Sequence, residues 1–597
     1  MSIIFEEVQR QLAARAYLDL PELLGPTLSP DGNRVAFLWN ETGRRELYIA
    51  RCDGHSELVQ LTDRDLRGQA HYSDYCWGPE SRVLYLYSTP HDNHGEANIA
   101  AVTLDGKWIH LCDVGINQFP LATTPAGKVL IAGNDFRGID SIHPEDGSRS
   151  ELVDAEYAYV VNVDVSSDGE FILFSAIPDG GDGYYTGYWM SINNDDPHPI
   201  DPIDANGTVF PVGWLSSGDR AFVYEHQPKN RYGVLDPRDS TVEWIGKSPM
   251  VTPASPPESD EDSPIGMMPD DKTVIEILDG ELTVVGSEEE VDMGTGTLVG
   301  ADVQAGRIAA VTGQHEADAP RLVVVDWPEV TRRDLLKTAY GPVTPADNVA
   351  AEEYTYTPAS TDELATVLVR RPERGPSPAV AITYFGNEPY DAFPRWDQYL
   401  VHRGYAVVRP AIPGAPFTDD EHADVAAVGE WLCDRDWVED DRVAVFGHSS
   451  GARQVFMQLF TRGVWKAGIA RCGPTNIFLQ YERDDQTAWM HNPMGDPDEN
   501  EAVWREQNPI DNVDGLEDPL RIHHGVNDSR VPIAQARALR TALLDADFVE
   551  HLDFEYSELP DAGHITVDIQ QYDEELTQVV DFLNRYLKTD TPRKTGC

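Results

Sequence analysis

Lysine is scarce in this sequence: of 46 basic residues among 597, only Lys107, Lys128, Lys229, Lys247, Lys272, Lys337, Lys466, Lys588 and Lys594 are lysines. Cysteine is rarer still. The six, Cys52, Cys76, Cys112, Cys433, Cys472 and Cys597, lie far apart with no CxxC pair, which argues against a zinc site or a disulfide framework. No metal or cofactor is expected. Long apolar runs are missing too, and the opening MSIIFEEVQRQLAARAYLDL has no signal-peptide core. The expectation is a soluble, cytoplasmic chain without a membrane partner. Positive charge as a whole is short: 102 Asp and Glu give a net charge of -56. That balance excludes nucleic acid, because phosphate backbones are bound mainly through Lys and Arg.

What is present describes a folded protein, with 41% hydrophobic and 25% charged residues. The acids are spread along the chain and form no single tail. Their mutual repulsion opposes compaction in dilute buffer, whereas at molar salt the Debye length falls to about 3 Å. Acidity together with lysine depletion resembles the composition of proteins from salt-loving archaea.

A turn followed by an apolar strand recurs seven times. Ser29-Pro30-Asp31-Gly32 precedes RVAFLW, Gly78-Pro79-Glu80-Ser81 precedes RVLYLY, and Thr124-Pro125-Ala126-Gly127 precedes KVLIAG. Further copies begin at Ser166, Ser216, Met268 and Val303. Their second turn residues are 35 to 52 positions apart, room for about four short strands per unit. Proline presets φ, aspartate caps the turn and glycine accepts positive φ, so each start has a mechanical basis. The pattern predicts a β-propeller of about seven blades.

From about residue 350 short apolar strands (AVAITYFG, GYAVVRPA, RVAVFGHS, KAGIARCG, PLRIHHGV) alternate with helical stretches, which predicts a mainly parallel, doubly wound sheet. The expected division is an N-terminal helical segment, 1–22, packing on the second domain, a propeller, 23–342, an α/β-hydrolase domain, 343–590, and a tail, 591–597. The polar, proline-containing GPVTPADNVAAEE is the linker.

Strand RVAVF runs into Gly447-His448-Ser449-Ser450-Gly451 and then a helical stretch. GxSxG at a strand-to-helix junction is the nucleophile-elbow pattern, in which the serine Oγ is exposed above the sheet. The serine needs a base, and the base an orienting acid, in the chain order Ser, Asp, His. Asp528 follows strand PLRIHHG and His564 follows strand HLDFEYSELP, as that order requires. His523 and His524 precede Asp528 and read as pocket or core residues. Asp561 lies so near His564 in sequence that it would have to turn back on it. One oxyanion donor is the backbone N–H of Ser450; Tyr384, after strand AVAIT, is the candidate second.

These residues resemble the prolyl oligopeptidase family of serine peptidases, especially its acylaminoacyl-peptidase-like branch. FGHSSG, NPMGDPDENEAVWREQNPIDNV leading into PLRIHHGVNDSRVPIAQARAL, and the terminal AGH carry the likeness, which covers nearly the whole chain. Tyr384-Phe385-Gly386-Asn387 looks like the family's oxyanion loop with Asn in place of Pro. Ser450, Ala452 and the loop AIPGAPF depart from the family pattern on the substrate side, so specificity does not carry over. No Glu pair anchors an amino terminus; Glu288-Glu289-Glu290 reads as a solvated run.

The resemblance implies an oligopeptidase whose propeller gates a Ser449, Asp528, His564 triad, with a homo-oligomer left open. An esterase with the same triad and a peptide-binding pseudoenzyme are the alternatives.

Overall fold

The computed structural model describes residues 20–588, apart from segments of which the longest are 64–74, 89–96, 179–185, 248–263 and 387–394. Of the expected helical segment 1–22, residues 20–22 are described and are not helical; its first nineteen residues, the tail, Glu288-Glu289-Glu290, Asn387 and Asp561 lie outside the described residues. Two compact units are distinguished, Pro21–Ala339 and one that contains Tyr340–Cys597.

The first unit is a β-propeller of seven antiparallel sheets, spanning 23–60, 75–114, 120–153, 157–199, 208–247, 264–284 and 298–337. Six have four strands; three are described in the sixth. The recurring turn does what its residues dictate. In two copies the aspartate Oδ1 accepts both the serine hydroxyl and the amide two residues on: Ser29 Oγ at 2.6 Å and Asn33 N at 3.0 Å for Asp31, Ser166 Oγ at 2.6 Å and Glu170 N at 2.9 Å for Asp168. Gly32 and Gly169 close those turns at φ 65° and 73°.

Why the second strands are apolar throughout follows from the period of two in a strand. In Arg34–Trp39, Val35 and Phe37 pack with Ala309, Val311, Leu322 and Val324 of the seventh sheet. Ala36 and Leu38 point the other way, to Leu84 and Leu86 of the second. Tyr85 and Tyr87 then meet Val129 and Ile131 of the third. Similar clusters join the third sheet to the fourth, the fourth to the fifth and the sixth to the seventh. Among the described residues no strand is exchanged between first and last sheets where the ring closes. The closure is held by the cluster of Val35 and Phe37 and by Leu28 N, which donates to Asp302 Oδ2 at 2.6 Å.

The second unit is an α/β-hydrolase domain built on eight strands: β1 Glu352–Tyr356, β2 Ala365–Arg370, β3 Ser377–Thr383, β4 Ala406–Pro410, β5 Val438–His448, β6 Ala467–Arg471, β7 Leu520–Gly525 and β8 Phe554–Leu559. Their order in the sheet is β1-β2-β4-β3-β5-β6-β7-β8, antiparallel at the β1, β2 edge and parallel from β4 onward. Helices α1 Arg395–His402, α2 Asp419–Cys433, α3 Ser450–Thr461, α4 Ile477–Arg483, α5 Glu501–Glu506, α6 Ile533–Asp545 and α7 Ile569–Leu587 are described with it.

Central parallel strands are buried on both faces, so they read as unbroken apolar runs. Val443 and Val445 of β5 enter a core with α2, α3 and α6, while Ala444 and Phe446 enter another with α1 and α7. The start of α2 is fixed by Thr418, whose hydroxyl caps Glu421 N, and by three acids in the first turn, which suit the positive helix end.

Candidate active site

The site is assembled at the carboxyl ends of β5, β7 and β8. After His448 the chain reverses through Ser449, at φ 56°, directly into α3. Steric crowding makes this turn possible only with glycine on either side. A Cβ on Gly447 would lie 2.1 Å from Gly451 O, and one on Gly451 2.2 Å from Thr383 O. The elbow therefore sits hard against the end of β3.

His564 joins the two other groups. Its Nε2 is 3.0 Å from Ser449 Oγ, and its Nδ1 is 2.8 Å from Asp528 Oδ2. Asp528 is fixed by its own loop, because Oδ1 accepts Arg530 N at 2.9 Å and Val531 N at 2.8 Å. Burial opposes its ionisation, yet the imidazoles of His564 and His524 and their hydrogen bonds hold the carboxyl well below the ordinary range. The loops bearing acid and base are in close contact: a Cβ on Gly525 would lie 2.1 Å from Gly563 O.

Ser449 and Asp528, expected with His564 from chain order and loop position, are thus both brought within hydrogen-bonding distance of the His564 ring. Ser450 opens α3, where first-turn amides lack intrahelical partners. Tyr384 follows β3 directly; its ring stacks on Phe385 at 4.5 Å and its Cδ2 would lie 3.6 Å from a Cβ on Gly451. His523 and His524 are both fully buried, and His524 Nε2 lies 2.6 Å from Val531 O and 3.4 Å from Asp528 Oδ2.

Sequence reasoning passed over three groups near the triad. His448, the variable position of GxSxG, has its ring 4.6 Å from that of His564. Desolvation, reinforced by the nearby His564 and Arg471, holds its pKa well below the ordinary value, so the ring is neutral. Arg471 ends β6, and a charge closing the apolar run KAGIA was the available signal. Cys472, at φ 49°, is buried behind the base, and burial pushes its thiol far up.

Among the described residues two clusters could offer metal ligands, His448 with Cys472 and His564, and Cys472 with His524 and Asp528. Both share atoms with the triad, and a thiol kept protonated by burial is a poor ligand.

A propeller followed by an α/β-hydrolase domain with a Ser, Asp, His constellation defines a class, the serine hydrolases of two-domain build. Residues 392–590 match the model of the prolyl oligopeptidase family of peptidases, which makes the protein a serine-type peptidase. Over 93% of this chain and 85% of the relative, it is 23% identical to dipeptidyl aminopeptidase BIII of Pseudoxanthomonas mexicana. Among solved structures it resembles a puromycin-hydrolysing peptidase of Mycobacterium tuberculosis, with TM-score 0.73, 15% identity and coverage of 97% and 96% of the two chains. Acylaminoacyl peptidase of Pyrococcus horikoshii has TM-score 0.64 at 14% identity, with coverage of 97% and 98%.

Proposed function

We propose that the protein hydrolyses oligopeptides by acyl transfer through Ser449. Ser449 Oγ attacks the scissile carbonyl while His564 Nε2 takes its proton and later returns it to the leaving amine. Asp528 keeps His564 in the tautomer with hydrogen on Nδ1 and stabilises the imidazolium. The amide of Ser450 and the phenol of Tyr384 receive the oxyanion. The observation that carries this reading is the pair of contacts on one ring, 3.0 Å from Nε2 to Ser449 and 2.8 Å from Nδ1 to Asp528.

Exopeptidase action on short peptides, of the aminopeptidase or acylaminoacyl-peptidase kind, is the finer reading, supported by relatives named for those activities. The net charge of -56 supports a protein adapted to high salt, and we infer a cytoplasmic setting.

Free and blocked aminoacyl nitroanilides, small acyl esters and a fluorophosphonate label test the whole proposal. Ser449→Ala should abolish labelling and lower turnover by several orders of magnitude, since members of a triad act as a unit. Labelling that survived the substitution would refute the assignment. Cleavage of esters alone would make the protein an esterase.

A further inference from the structure

The base is held by its main chain as well as by its ring. The backbone carbonyl of His564 accepts two hydrogen bonds, from His448 Nε2 at 2.8 Å and from Arg471 Nη1 at 2.8 Å. A carbonyl oxygen has two lone pairs, and both are used here. One donor adjoins the nucleophile in sequence; the other is the last residue of the neighbouring strand.

Arg471 is only 5% exposed, and it is itself anchored. Its Nε donates to Glu575 Oε1 at 2.6 Å, and Glu575, on α7, is fully buried. Burial favours the neutral acid, but Arg471 and His523 outweigh it and hold the Glu575 carboxyl down at about 2. The donor on His564 therefore belongs to an ion pair whose two charges offset, which adds little repulsion when the ring becomes an imidazolium. The neutral ring of His448 adds none.

We propose that Arg471, anchored by Glu575, and His448 form a clamp on the carbonyl of His564 that fixes the approach of its ring to Ser449. Both are positioning residues for proton transfer and touch no substrate. The inference rests on the triad reading above and adds to it what holds the base in place. The ring contacts alone constrain two nitrogens, but the distance from Nε2 to Oγ also depends on where the Cα of residue 564 sits. The carbonyl is one bond from that atom. A misplacement of about 1 Å at a reacting group costs up to about 10²-fold in rate.

The guanidinium is specific to this task because its fork serves two acceptors at once, Nε for Glu575 and Nη1 for His564. A lysine keeps the charge opposite Glu575 but has one nitrogen, so it must give up an acceptor. Arg471→Lys should lower kcat on an aminoacyl nitroanilide by about 10- to 10²-fold. KM and the thermal midpoint should stay near those of the parent, and fluorophosphonate labelling should slow by the same factor as kcat.

His448→Leu should lose kcat in the same way. His448→Gln, whose side-chain amide can donate to the same carbonyl, should recover most of that loss. Parental kcat and labelling rate in both Arg471→Lys and His448→Leu would overturn the clamp. So would losses that follow the thermal midpoint, with His448→Gln no better than His448→Leu, because that pattern marks a purely structural role. Ser449→Ala separates the two readings. If it still labels, the triad assignment fails; if it does not label while the clamp variants label at the parental rate, the clamp alone fails.

Discussion

The two units bury some of their charges differently. In the propeller, Asp164 and Asp302 accept backbone amides of the next sheet, Trp214 N at 3.3 Å and Leu28 N at 2.6 Å, and burial pushes each carboxyl up to about 6. In the hydrolase domain three acids are buried against arginines: Glu421 with Arg453, Glu575 with Arg471, and Asp397 with both Arg370 and Arg409. A repeated ring needs only one apolar interface many times over, and a lone carboxylate suffices to stitch a joint. A catalytic constellation needs unlike loops held in one arrangement, and directional ion pairs supply that where apolar packing does not.

The largest effect that sharpens this contrast concerns Arg453. Its side chain is fully buried against Glu421 and over the Phe417 ring, 4.2 Å from the centroid. Arg453→Leu should cost about 3–5 kcal/mol by leaving Glu421 buried and unpaired, whereas Arg453→Leu with Glu421→Leu should regain much of that. Asp302→Asn, which keeps an acceptor for Leu28, should cost far less. Denaturant unfolding measures all three. A double variant as unstable as the single one would mean that the pair serves packing, and the contrast between the units would lapse.

Next in size is an effect confined to catalysis. If the phenol of Tyr384 receives the oxyanion, Tyr384→Phe should lower kcat by about 10²- to 10³-fold with little change in KM. An unchanged kcat would return the ring to a packing role beside Gly451.

Acidification should act with opposite sign on these buried acids of the two units. Glu575 is lowered on folding, so its contribution is full above the ordinary glutamate value and is lost as pH falls toward about 2. Asp164 and Asp302 are raised, so theirs is full below the ordinary aspartate value and is lost as pH rises through about 6. Between pH 6 and 4 the propeller should therefore gain stability. Below about 4 both units should lose it, because Asp326 and Asp334 of the propeller are lowered on folding as Glu575 is. Calorimetry across pH, with Asp164→Asn and Asp302→Asn flattening the first trend, checks both signs; a single common trend would remove the distinction.

The smallest effect per group, and the most widespread, is that of salt. Screening of the net charge of -56 should raise activity and thermal midpoint together from dilute to molar KCl. Because salt also strengthens apolar burial, a neutral osmolyte serves as the control. Full activity at about 0.1 M with no gain above it would refute adaptation to high salt.

Much of this was legible in the sequence because it is local. RVAFLW and RVLYLY announce strands filled on both sides, and the SPDG turns carry their own hydrogen-bonding logic. GHSSG fixes the elbow through crowding at Gly447 and Gly451, and chain order together with position in the loops after two strands points to Asp528 and His564. The supporting contacts were illegible for the converse reason. Arg471 and Glu575 are 104 positions apart, and nothing near either announces the other. His448 sat in plain view inside the motif, but its partner is a backbone carbonyl, which no pattern of side chains encodes.

The ring closed without strand exchange among the described residues bears on how such a protein can change over generations. Where a last blade borrows its outer strand from the opposite end of the chain, gaining or losing a repeat leaves the borrowed strand tied to a gap of the wrong width. Here each sheet, as far as its strands are described, is drawn from one continuous stretch of chain, so a whole repeat can be duplicated or deleted in the gene without orphaning a described strand. Circumference is then open to variation one unit at a time, limited by how well the new neighbours fill each other's faces.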